Sequence, residues 1–300
     1  MKLDEITVLM PVHNAIFYLK EAIESLLQQT ILDKVQIFIL NDHSTDNSIE
    51  VIERINHSRI KIITPPVCGL VSVLNYGLEM VQTEFVARMD SDDISFPTRL
   101  EHQLSFLRNN ADVGLVGTRG FYIGERSSNR KIPITCPIHH DKIVEALLKR
   151  RYAIIHPSIL FRKIVVDTVG VYKQDFFPSE DFELFFRIAK RYRLANLPDY
   201  YYLKRVRKES IIGEGISQSM NKYNEARILY ISNFKMKSPK MIEKILTTSD
   251  AFSMSFYQKG LYYYLNKFSV KSSIYIFISI IFNPMRLLDR IKKLLFDNSL

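Results

Sequence analysis

The chain's 300 residues, 47% of them hydrophobic and 24% charged with only 10 glycines, exclude a disordered or collagen-like polymer. The net charge of +9 is unevenly spread: residues 1–100 carry 8 basic and 14 acidic side chains (net −6), residues 101–200 carry 16 and 11 (net +5), and residues 201–300 carry 17 and 7 (net +10). An acidic first third suits a cation site, while a basic last third suits nucleic acid, anionic lipid or a phosphate-bearing substrate, or is a solvated helical face.

Residues 6–10 read as a buried strand leading into the loop Pro11, Val12, His13 and Asn14. Residues 16–29 repeat apolar side chains at helical spacing (Ile16, Leu19, Ile23, Leu26, Leu27). A second strand at 35–40 ends in the polar loop 41–46, where Thr45 or Asp46 can cap a helix running to 56. A third strand at 60–63, a helix at 70–81 and a fourth strand at 85–89 follow, the last ending at Asp90, Ser91, Asp92 and Asp93. Pro97 suits the first turn of a helix reaching 109, and 113–117 reads as a fifth strand. Such alternation predicts an α/β fold with a mostly parallel central sheet and helices on both faces. Ligands of such sheets bind beyond the carboxyl ends of the strands, where these three polar loops lie.

Beyond residue 120 the pattern is less regular. It predicts a helix at 140–150, a short strand at 158–161, a loop at 173–179 exposing Phe176 and Phe177, a helix at 180–192 and a strand at 200–206. From 216 onward the periodicity is helical throughout. Cys68 and Cys136 lack the spacing of a zinc cluster, and their number argues for no disulfide scaffold. The N-terminus carries Asp4 and Glu5 where a signal peptide needs a basic flank and a long apolar run, and the longest apolar run, 274–282, is about half the roughly 20 residues of a membrane span. These features predict a cytoplasmic protein, soluble or peripheral on the inner face of the membrane. The sequence holds no P-loop, no G-x-G-x-x-G after the first strand, no H-E-x-x-H and no G-x-S-x-G.

Asp90, Asp92 and Asp93 put three carboxylates into four residues. Like charges so close raise one another's pKa unless a cation intervenes. Mg²⁺ or Mn²⁺ suits this donor set and typically bridges carboxylates to phosphates. An acid-decorated helix N-terminus is the plainer alternative.

The stretch around Asp90-Ser91-Asp92 resembles the DxD region of family-2 glycosyltransferases, which have the GT-A fold. Four further segments agree in order: residues 8–14 with the opening strand and P-x-x-N loop, 41–46 with N-D-x-S-x-D, 69–78 with G-L-x-x-x-x-N-x-G-L, and 180–184 with the E-D motif. The resemblance covers roughly residues 5–210. It implies a GT-A catalytic domain over 1–213, with a nucleotide-sugar half (1–110) and an acceptor half (111–213), followed by a helical region over 214–300.

The resemblance also implies roles. Pro11, Val12 and Asn14 would line the base and ribose pocket, Asp42 would hydrogen-bond the base, and Asn75 would belong to the same nucleotide-sugar site. Asp90 would meet the ribose or donor sugar, and Asp92 would bind the metal on the diphosphate. Asp93 is either a second ligand or a helix cap. Arg88 either touches the donor or pairs with the acids. His156 either reaches the diphosphate or metal, or is structural. Asp181, beside Glu180, would be the general base. The segment ending at Arg207 departs from the family's Y-R-x-H, with Leu203 in place of the aromatic residue and Arg207 in place of the histidine, which weakens the case for metal dependence.

The implied activity is inverting transfer of a hexosyl or N-acetylhexosaminyl group from a UDP-sugar to a glycan or lipid-linked acceptor in cell-surface polysaccharide biosynthesis. A sugar nucleotidyltransferase needs a glycine-rich loop after the first strand, which is absent. A nucleic-acid-binding protein would explain the charge, but the basic excess lies away from the nucleotide loops. The C-terminal helices either rest on an anionic membrane or pack on the catalytic domain.

Overall fold

The computed structural model describes residues 4–125, 130–207 and 216–232. The helices expected after 232, and with them the membrane-contact expectation, lie outside the described residues. Among the described residues, no helix is long and apolar enough to cross a membrane.

Four strands set the frame: β1 (Ile6–Val12), β2 (Val35–Asn41), β3 (Ile60–Ile63) and β4 (Phe85–Arg88). They pair in parallel in the order β3-β2-β1-β4. Helices α1 (Leu19–Leu27), α2 (Ser48–Ile55) and α3 (Leu70–Met80) connect them. The chain leaves β1 toward β2 and β3, then returns to place β4 on the other side of β1. That reversal opens a crevice between the carboxyl ends of β1 and β4.

The remaining strands are β5 (Ile94–Ser95), β6 (Val113–Ile123), β7 (Ile132–Ile134), β8 (Leu160–Arg162) and β9 (Arg193–Arg205). They extend the sheet as β4-β8-β6-β9-β5, with β7 also on β6. Here the parallel expectation gives way to mixed pairing: β8 is antiparallel to both β4 and β6, β7 to β6 and β5 to β9, while β6 and β9 run parallel.

Helices α4 (Arg99–Asn109), α5 (His140–Leu148), α6 (Lys163–Val169), α7 (Glu180–Ala189) and α8 (Ile216–Ser232) complete the described chain. The period-2 pattern of the strands splits the core. Val8, Met10, Ile37 and Ile39 face α1 and α4, while Leu9, Phe38, Leu40 and Val86 face α3, with α5, α6, α7 and α8 sharing that second core. Fully buried sheet strands explain why the sequence shows apolar runs there rather than alternation.

The loop at 173–179 differs from its expectation in one respect. Phe177 is exposed, but Phe176 is buried, with the ammonium groups of Lys173 and Lys222 over its ring at 5.9 and 6.0 Å. The second cation comes from α8, a partner that local sequence does not reveal.

The β6–β9 pairing is tight at Gly120, where a Cβ would lie 2.5 Å from the Tyr202 carbonyl oxygen and 3.1 Å from Ile155 Cδ1. Gly120→Ala is therefore expected to lower stability by about 1–3 kcal/mol. Denaturant unfolding reads this directly, and an unchanged midpoint would contradict the close approach.

Candidate active site

The loops after β1 and β2 are laced together. Asn14 adopts φ +49°, and its Oδ1 accepts the Thr45 N–H at 2.8 Å and the Asp46 N–H at 3.3 Å. The Asp42 N–H donates to the Val12 carbonyl at 2.8 Å. Both Asp42 carboxylate oxygens accept the Gly69 N–H, at 2.9 and 3.1 Å. Gly69, at φ +90°, sits in a conformation that only glycine adopts freely, just before α3. Asp46 caps the first turn of α2 by accepting the Ser48 N–H, and it also accepts the Ile16 N–H. Burial pushes its carboxyl up, but these hydrogen bonds prevail and hold it below the usual range. At these strand ends Pro11 and Asp42 are half-buried and Asn14 is exposed. Pro11 and Val12, expected in the loop, are the last residues of β1, and the Val12 side chain is fully buried in the core, so only its backbone faces the loops.

Asn75 lies elsewhere in the network. Its amide donates to the Tyr172 carbonyl at 2.8 Å and accepts the Tyr172 N–H at 3.1 Å, tying α3 to the segment after α6.

The other side of the crevice is acidic. Carboxylate oxygens of Asp90, Asp92 and Asp93 lie within 4.8 Å of one another. Arg88 Nη2 lies 2.5 Å from Asp90 Oδ1 and Lys204 Nζ 3.7 Å from Asp90 Oδ2, while Arg207 Nε lies 2.6 Å from Asp92 Oδ2. Arg88 therefore pairs with the cluster. Burial alone would raise the Asp90 carboxyl, but Arg88 and Lys204 outweigh it and hold the group low. Asp92 is raised by burial and by the neighbouring Asp90 charge, against the pull of Arg207 and Lys204. Asp93 is 1% exposed, and burial pushes it up to about 8.

Asp93 does not cap α4, which starts six residues later. Its Oδ1 instead accepts the Arg205 N–H of β9 at 2.7 Å. Arg205 is a residue the sequence reading did not single out. Its guanidinium donates to the carbonyls of Asp92 at 2.8 Å and Gly124 at 3.1 Å and to Glu21 Oε2 at 2.6 Å, and so anchors the acidic loop. Tyr202, also on β9, accepts the Asp90 N–H through its hydroxyl at 3.4 Å.

Glu180 and Asp181 open α7, whose first turn is rich in acids that suit its dipole. Ser179 does not cap this helix; its hydroxyl bonds the Ser219 carbonyl and hydroxyl on α8, both at 2.9 Å. Glu180 is 5% exposed, and burial, with the Asp181 charge second, pushes its carboxyl up to about 7. Burial also raises Asp181, against a hydrogen bond from the Phe182 N–H at 2.8 Å and the attraction of Arg88 and Lys204. Arg88 and Lys204 thus act on both acidic groups, although these are about 90 residues apart in sequence.

His156 is buried, with Nε2 2.8 Å from the Tyr172 hydroxyl and its ring edge-on to Phe185. Burial, then the charges of Arg88 and Lys204, drive its pKa well below the usual value. It is not among the carboxylates that converge within 4.8 Å.

The acidic trio fits a hard divalent ion on its own geometry. Its donors are all oxygens, and Asp93 Oδ2 is buried without a hydrogen-bond partner.

Solved structures share this arrangement of strands and helices. S. aureus TarS 1–349 in complex with UDP-GlcNAc aligns with TM-score 0.62 and 14% identity, covering 91% of this chain and 89% of that one. The mannosyltransferase PcManGT from Pyrobaculum calidifontis, in complex with GDP-Man and Mn²⁺, aligns with TM-score 0.57 and 15% identity, over 95% and 88%. The fold is GT-A. Among sequences, the O-antigen biosynthesis glycosyltransferase WbnJ of Escherichia coli is 35% identical over 191 residues, 62% of this chain and 72% of that protein. The amylovoran biosynthesis glycosyltransferase AmsE of Erwinia amylovora is 30% identical over 187 residues, 60% and 68%. Of two uncharacterized Rickettsia glycosyltransferases the chain spans only 31% and 38%. The model of glycosyl transferase family 2 matches residues 7–215, the span that holds the crevice and every acid described above, and the chain belongs to that family.

Proposed function

We propose that this family-2 glycosyltransferase transfers a hexosyl or N-acetylhexosaminyl group, with inversion, from a UDP-sugar to a glycan or lipid-linked acceptor in the assembly of a cell-surface polysaccharide. The observation that carries the reading is the acidic cluster of Asp90, Asp92 and Asp93 just beyond β4, its carboxylate oxygens within 4.8 Å of one another and paired with Arg88, Lys204 and Arg207. The charges of Arg88 and Lys204 also reach Asp181. The names of the O-antigen and amylovoran relatives support the product class. The UDP-GlcNAc and GDP-Man complexes support a nucleoside-diphosphate donor.

In this reading Pro11, Val12 and Asn14 form the base and ribose wall, and Asp42 accepts the imide N–H of uracil. Asp92, with Asp90 and Asp93, would hold Mn²⁺ or Mg²⁺, which supplies charge stabilisation to the departing diphosphate. Arg88 and Lys204 keep Asp90 ionised in a half-buried position. Asp181 takes the proton from an acceptor hydroxyl as that oxygen bonds to the anomeric carbon. The carbon–oxygen bond to the diphosphate breaks with its electrons leaving on the nucleotide, so a single displacement inverts the centre. Glu180 adjoins the base and adds to the negative field around it.

The test is hydrolysis and transfer with a panel of nucleotide-sugars. Turnover with a UDP-sugar supports the proposal, and inertness toward every donor would overturn it. In the same assay Asp42→Ala is expected to raise the donor KM about tenfold, the worth of a hydrogen bond to a charged group, with kcat within about twofold. An unaltered KM would remove Asp42 from the base pocket.

A further inference from the structure

Arg207 has no role in the proposal above, yet it occupies a decisive place. Its Nε lies 2.6 Å from Asp92 Oδ2, and its side chain is 34% exposed. The approach does not align the Nε–H for a hydrogen bond to that oxygen, so the contact is coulombic rather than directional. A guanidinium offers only donors and keeps its proton, so it cannot become a metal ligand as a histidine would. It is therefore a second cation at the carboxylate best placed to receive a divalent ion. The two charges repel at that oxygen, and an arriving ion has to displace the guanidinium.

A diphosphate changes this balance. Its oxygens give a planar guanidinium a bidentate partner stronger than the misaligned contact with Asp92. We propose that Arg207 is the counterion of Asp92 in the donor-free protein and passes to the donor's diphosphate when metal and nucleotide bind together. This rests on the nucleotide-sugar reading of the site. Metal and nucleoside diphosphate are then positively coupled: each vacates or supplies the partner that the other needs, and by linkage each raises the other's affinity by the same factor. Lys204 and Arg88 remain on Asp90 throughout, so the hand-over involves Asp92 alone.

The experiment measures Mn²⁺ binding to the full chain by electron paramagnetic resonance, alone and with UDP or GDP, for wild type, Arg207→Gln and Arg207→Lys. Thermal melting confirms that each variant is folded. Wild type is expected to bind Mn²⁺ alone weakly and about tenfold or more tightly with the nucleotide, within the usual range of coupling between sites. Arg207→Gln is expected to tighten Mn²⁺ alone by about tenfold and to lose most of the coupling, while Arg207→Lys stays near wild type. Unchanged or weaker Mn²⁺ binding by Arg207→Gln in the absence of nucleotide would overturn the proposal. The donor reading fails separately: neither nucleotide would then alter Mn²⁺ binding by any of the three proteins, and that result would overturn the hand-over as well.

Discussion

Asp181→Asn is expected to lower kcat for glycosyl transfer by about 10²–10⁴-fold, the usual contribution of a positioned base, with donor affinity little changed. The amide keeps the size of the side chain and its contact with the Phe182 N–H, so the loss isolates proton transfer from structure. The pH profile gives a second reading. Burial raises both carboxyls, Glu180 to about 7 and Asp181 above its ordinary value, so the two titrate as a coupled pair above the usual carboxylate range. A base works only when deprotonated, so kcat/KM is expected to fall toward low pH with an acidic limb that lies above the ordinary aspartate range, and to level off once Asp181 is ionised. In Asp181→Asn, Glu180 loses the repulsion of its neighbour and its carboxyl moves back down. Glu180→Gln is expected to keep most of the rate. A variant pair with the opposite pattern, Asp181→Asn active and Glu180→Gln inert, would reassign the base to Glu180.

Asp92→Asn is expected to reduce kcat/KM by about 10³-fold, since several kcal/mol of charge stabilisation at the leaving diphosphate depends on the ion it holds. Chelation with EDTA should produce a loss of similar size in wild type and little further change in the variant. Adding Mn²⁺ back should restore wild type only. Full activity after exhaustive chelation would show that the cations already present, Arg88, Lys204 and Arg207, suffice for the diphosphate, and would remove the metal from the mechanism.

The first four strands and the helices between them were readable in the sequence, although β1 and β2 run on through Val12 and Asn41 into what read as loops. Long apolar runs and polar breaks are local signals, and β3 was bounded to the residue. Elements whose stability comes from partners were harder to read. Strand β5 is two residues long and exists by pairing with β9, β7 contains Pro133, and α6 has only seven residues. The strand expected at 200–206 proved to be the second part of β9, whose 13 residues carry Pro198 and Asp199 at the centre and shift register against β6 there.

The site divides along the same line. Asp90, Asp92 and Asp93 were visible because three acids are adjacent. Arg205 was not, because its value lies in bonds to residues 81 to 184 positions away in sequence. His156 and Asn75 show the converse: both stand in recognisable segments, and the structure joins both to Tyr172.

The two-residue ladder between β5 and β9 has a consequence for how this site can diverge. Ile94 pairs with Leu203 and Ser95 with Tyr202, directly behind the acidic loop. Side chains alternate along a strand, so this pairing fixes that Lys204 turns to Asp90 while Arg205 turns to Glu21 and the Asp92 backbone. Losing one residue upstream in β9 would exchange those faces and reverse the charge arrangement without altering a single acid. The segment is thus constrained in length as well as in composition. A one-residue gap in β9 is therefore expected to strip the acidic loop of its counterions even with Asp90, Asp92 and Asp93 unchanged.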